Sequence, residues 1–86
     1  MLIRWSRHSK QRFAERALKE GINYGEIEFE IKKQSIKIRE ENNRKKTIFK
    51  IGNHFLTAIK IETKEYIHVL TLWESSEKEV SIWNKK

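Results

Sequence analysis

Across residues 7–20 the apolar positions recur at helical spacing. Phe13, Ala14, Ala17 and Leu18 fall on one face, with charged residues around the rest. Ser6 precedes the run as a helix N-cap and Gly21 follows it as a C-cap. Ahead of it, residues 3–5 read as a short strand. Asn23-Tyr24-Gly25-Glu26 then has the form of a capping box, with Ile22 and Ile27 placed as its hydrophobic staple. These signals predict a second helix over residues 24–33. Ile27-Glu28-Phe29-Glu30-Ile31 also alternates strictly, as a strand does, and the cap signals decide for helix.

After Gln34 the pattern changes to β-branched alternation. Residues 35–41 read as a strand with Ile36 and Ile38 on one face, and Asn42-Asn43 turns the chain. Residues 46–51 form the next strand. Gly52-Asn53 fits a two-residue hairpin turn with glycine first. Residues 54–62 are apolar on both faces, and residues 66–73, also largely apolar, are expected near the middle of the sheet. In that last strand Tyr66, His68, Leu70 and Leu72 are expected on one face, and Ile67, Val69, Thr71 and Trp73 on the other. Residues 80–83 read as a short final strand or edge. Helices grouped before strands give an α+β fold, two N-terminal helices packed on a four- to five-stranded antiparallel sheet. No linker or repeat interrupts the 86 residues, which make one domain, residues 1–86.

Composition narrows the chemistry. There is no cysteine, which excludes disulfides, thiolate metal sites and a cysteine nucleophile. A chain this short holds one modest core, so no small-molecule cofactor is expected. No apolar run near the start suits a signal peptide or a membrane span, and a cytoplasmic location without membrane contact is expected. Every acidic residue is Glu, and the clustered carboxylates of two-metal nucleases are not visible. The net charge of +7 and pI near 9.8 suit a polyanionic partner. The positive charge lies in two blocks, residues 1–20 and 32–60, separated by an acidic stretch and followed by a near-neutral tail. Such surfaces also serve solubility alone.

His8, Arg12 and Arg16 stand at successive i+4 positions of the first helix. Each step rotates about 40°, so the three form a stripe opposite Phe13 and Ala17. Guanidinium groups match phosphate oxygens, and an imidazole moves protons near neutral pH. A solvated helix face is the commoner reading of such a stripe. Lys32 and Lys33 at the end of the second helix, and Arg44-Lys45-Lys46 beside a hairpin turn, are candidates for gripping a nucleic-acid backbone. The same turn lysines also keep an edge strand from pairing. His54 and His68 complete a set of three histidines without zinc-site spacing, so no metal is expected, and a buried, hydrogen-bonded role is the commoner one for His68. Trp5, Trp73 and Trp83 are read as core residues, base-stacking surfaces being the other possibility.

The stretch Ser6-Arg7-His8-Ser9-Lys10-Gln11-Arg12-Phe13-Ala14-Glu15-Arg16, with Gly21-Ile22 and Glu26-Ile27 after it, resembles a signature of small prokaryotic and phage domains. Val69-Leu70-Thr71-Leu72-Trp73 resembles the closing strand of the same group, the RelE/ParE-like toxins near the BrnT-type branch. The sequence departs from BrnT-like proteins at Lys19-Glu20-Gly21, where they tend to have Lys-His-Gly, and in its tail. The resemblance implies a helix hairpin on a twisted antiparallel sheet. It also implies a toxin-like, metal-independent endoribonuclease of a toxin–antitoxin system. Its partners would be RNA, ribosome-bound mRNA included, and a cognate antitoxin protein. His8, Arg12 and Arg16 match its helical motif and Thr71 its strand motif, which makes these four the expected catalytic residues. Two alternatives stay open: a non-catalytic module of the same fold that binds nucleic acid or protein, and a ParE-like inhibitor of a protein target.

Overall fold

The chain runs β1 (Leu2–Trp5), α1 (Arg7–Arg16), α2 (Tyr24–Lys32), β2 (Ile36–Arg39), β3 (Arg44–Ile51), β4 (His54–Glu62), β5 (Tyr66–Glu74) and α3 (Glu77–Asn84). The computed structural model describes residues 2–16, 21–33, 36–39 and 43–85. The two N-terminal helices begin at the caps that the sequence marks. Ser9 N–H donates to Ser6 Oγ at 3.0 Å, and Glu26 N–H donates to Asn23 Oδ1 at 2.9 Å. Ile22 and Ile27, the staple pair, are both buried. The helical part of the predicted first helix that covers residues 17–20 lies outside the described residues, as does the turn residue Asn42. Its neighbour Asn43 takes a left-handed φ of 63°, and Gly52 takes 59° in the β3–β4 hairpin turn.

The strands form a five-stranded sheet in the order β1-β5-β4-β3-β2. The expectation of a wholly antiparallel sheet is corrected here: β1 pairs with β5 in parallel, so the sheet is mixed. The pairing joins strands at opposite ends of the order of elements, which no local turn signal reveals. Central placement of residues 66–73 was expected, and β5 lies inside the sheet, between β1 and β4.

Two further expectations are corrected. Residues 80–83 belong to helix α3, not to a strand. The reason is a capping box: Glu79 N–H donates to Ser76 Oγ at 3.2 Å, and Ser76 N–H donates to Glu79 Oε1 at 2.8 Å. The faces of β5 also differ from simple alternation. Ile59 pairs with Thr71 but Lys60 pairs with Val69, so Leu70 is an extra, bulged residue. The bulge brings Ile67, Val69 and Leu72 onto one face, where they meet Phe13, Ile22, Ile27, Ile31, Phe49, Leu56 and Ala58 in the main core. Helices α1 and α2 cover that face. Beside the bulge, the start of α1 binds two β5 carbonyls through its serine hydroxyls. Ser6 Oγ donates to Leu70 O at 2.7 Å, and the fully buried Ser9 donates through its hydroxyl to Val69 O at 3.0 Å.

Helix α3 packs on the second face, at one end. Trp83 meets Phe55 edge-on with ring centroids 6.1 Å apart, and Thr57 and Ser75 share a hydroxyl bond of 2.7 Å. Among the described residues no helix is long and apolar enough to cross a membrane.

Candidate functional site

Phe13 is fully buried and fixes the rotation of α1 about its axis. That rotation turns residues 8, 11, 12 and 15 outward, since i, i+3, i+4 and i+7 share one helix face. His8, Gln11, Arg12 and Glu15 are all exposed and line one shallow depression of about 250 Å³. Gln11 Nε2 donates to Glu15 Oε1 at 3.5 Å, which holds the carboxylate along the stripe. The depression therefore combines an imidazole, a guanidinium, a carboxylate and an amide. Arg16 ends the same helix, and its side chain lies outside those described. Glu15 is the member that the sequence left among ordinary surface charges. The signal that finds it is its i+7 spacing from His8.

Thr71 is not brought to this depression. It pairs with Ile59, and its side chain shares the second face of the sheet with Trp73, whereas α1 packs on the first. The basic run is divided in the same way. Lys45 points to the helix side and pairs with Glu62 at 3.3 Å. Glu62 also meets Lys60 Nζ at 2.7 Å, and that ammonium, fully buried, donates to Ile31 O at 3.0 Å. Lys46 points to the second face and pairs with Glu79 at 2.7 Å, while Arg44, on the same face, is exposed. Lys32 is exposed in the last turn of α2, and Lys33 pairs with Glu30 at 3.5 Å and lies 5.0 Å from the Phe29 ring.

The tryptophans are structural. Trp5 meets Phe13 edge-on and donates through Nε1 to Glu28 at 2.8 Å. Trp73 Nε1 donates to Glu79 Oε1 at 3.0 Å. Burial by itself would raise the pKa of Glu79. The hydrogen bond from Lys46, those from Ser76 N–H and Trp73, and the Lys46 charge outweigh it and hold the carboxyl at about 2. A wider hollow of about 500 Å³ lies between the start of α2 and the β3–β4 turn, lined by Phe29, Ile51, Glu26, Glu30 and Lys50 among others. It contains no imidazole, so it offers no comparable acid–base pair.

Comparison with protein families, with characterised proteins and with solved structures finds no match. The chemistry of the site is therefore argued from its residues.

Proposed function

We propose that this domain acts on RNA as a toxin-like, metal-independent endoribonuclease. The observation that carries the proposal is the gathering of His8, Arg12 and Glu15 around one depression on α1. RNA brings its own nucleophile, the 2′-hydroxyl. Cleavage needs a base for that proton, an acid for the leaving 5′-oxygen, and a cation for the charge that builds on the phosphoryl oxygens. In this scheme Glu15 takes the 2′-hydroxyl proton and the new O–P bond closes a 2′,3′-cyclic phosphate. The P–O5′ bond breaks, and His8 protonates the departing oxygen. Arg12 spans the phosphoryl oxygens with paired N–H donors. Lys32 and Lys33 hold the flanking backbone, and an antitoxin protein would be the partner that masks the activity.

A second reading, a binding module without turnover, is favoured by one observation: Thr71 stands on the far face of the sheet from His8. One assay separates the two. Labelled single-stranded RNA is incubated in excess EDTA with wild type, His8→Ala and Glu15→Gln. The catalytic reading expects cleavage by wild type and a loss of about 10²–10⁴-fold in each variant, with affinity kept. Equal cleavage by wild type and His8→Ala would remove the catalytic assignment. Salt-sensitive binding with no cleavage by any of the three would leave the binding module.

A further inference from the structure

Helix α3 covers only part of the second face of the sheet. Its contacts, Trp83 on Phe55 and Glu79 on Lys46 and Trp73, lie toward one end. Across the other end, the register aligns Arg4 of β1 with His68 of β5, His68 with Ile61 of β4, and Ile61 with Arg44 of β3. All four therefore sit in one row on the same face. Beside that row, the Arg4 guanidinium lies 4.6 Å from the centre of the Tyr66 ring, and the Tyr66 and His68 rings are 6.5 Å apart. Leu2, next to Tyr66, is 61% exposed.

This row has a specific composition. Two arginines stand at its ends, separated by three strand spacings, about 14 Å. Flat rings and aliphatic carbon lie between them. The strand positions of this half of the face, among the described residues, carry no carboxylate. Cations spaced along a line match the phosphates of an extended strand. The half-buried Tyr66 and His68 rings match unpaired bases, which stack on aromatic and guanidinium planes. A duplex hides its base faces and gains nothing from the rings. We infer that this open half of the sheet is a binding platform for single-stranded RNA, with bases on Tyr66 and His68 and phosphates on Arg4 and Arg44. The inference rests on the reading of the domain as RNA-directed. It adds a second contact surface, on the opposite side of the sheet from α1.

The test is fluorescence anisotropy with a labelled 2′-O-methyl oligonucleotide of about 8 nucleotides, a length within the usual range for one such surface, which binds but cannot be cut. The double variant Arg4→Ala/Arg44→Ala changes two exposed side chains. It should weaken binding by about tenfold or more and lower the slope of log affinity against log salt by about 1.4. Tyr66→Ala should also weaken binding, and Tyr66→Phe, which keeps the ring, should restore it. Unchanged affinity in the double variant would overturn the platform, as would equal affinity for duplex RNA or for anionic lipid vesicles. The cleavage assay tells the two readings apart. RNA cleavage that depends on His8, with binding indifferent to Arg4 and Arg44, removes the platform and leaves the ribonuclease. Binding that depends on Arg4 and Arg44, with no cleavage by wild type, does the reverse.

Discussion

At the scale of single residues, the informative positions are polar groups in the interior. Thr47 is fully buried on the helix side of β3, opposite Ala58, and among the described residues its Oγ1 is the buried side-chain atom without a hydrogen bond. A valine has the same shape and no hydroxyl to desolvate. Thr47→Val is expected to stabilise the protein by about 1 kcal/mol. Urea unfolding should show a higher midpoint with an unchanged slope. Lys60 is the contrasting case. Its sequence context reads as a charged position in an otherwise apolar strand, yet the side chain is 0% exposed. What makes its burial tolerable is the backbone carbonyl of Ile31 near the end of α2, together with the Glu62 carboxylate. The carbonyl is not visible in a local pattern, because it lies 29 residues from the lysine.

At the scale of elements, the helices were legible where their caps were. Ser6, Asn23 and the Ile22/Ile27 staple announce α1 and α2 by side-chain chemistry that acts within a few residues. The same chemistry announces α3 through Ser76 and Glu79, but Val80 and Ile82 also fit a short alternating strand, and the alternation concealed the box. The bulge at Leu70 was not legible, since nothing in Val69-Leu70-Thr71 distinguishes a regular strand from one with an extra residue. Its cost fell on the assignment of faces, and so on Thr71. Glu79 does more than cap its own helix. It ties α3 to the sheet through Lys46 and Trp73. Its carboxyl group has a folded pKa of about 2 against an ordinary value of 4.5. A depressed pKa contributes stability that is complete above 4.5 and fades as the pH falls toward 2. Glu79→Gln is therefore expected to cost about 2–3 kcal/mol at pH 7, with the gap to wild type closing between pH 4.5 and pH 2. Denaturation midpoints of the two proteins across that range check it. A constant gap would assign the loss to packing instead of charge.

At the scale of the whole molecule, the sequence conveyed the fold class, the order of the first seven elements and the basic character. It did not convey which basic residues act together. Arg44, Lys45 and Lys46 are adjacent in the chain, but strand alternation sends Lys45 to one side of the sheet and its neighbours to the other. Arg4 and Arg44 are far apart in the chain, yet the register sets them in one row. On the strands, candidate sites built from neighbours in sequence therefore divide, and sites built from neighbours in register assemble.

The parallel union of β1 with β5 also sets a schedule. Ser6 bonds to Leu70, 64 residues further along, and every residue of β1 pairs with a partner in β5. A chain leaving the ribosome can close the β3–β4 hairpin early, because its ends are near each other. The β1 strand must wait until β5 has been synthesised, and closing so long a loop is slow. Pulse-labelled hydrogen exchange during refolding should find the β1 amides protected together with those of β5, and later than those of the β3–β4 hairpin.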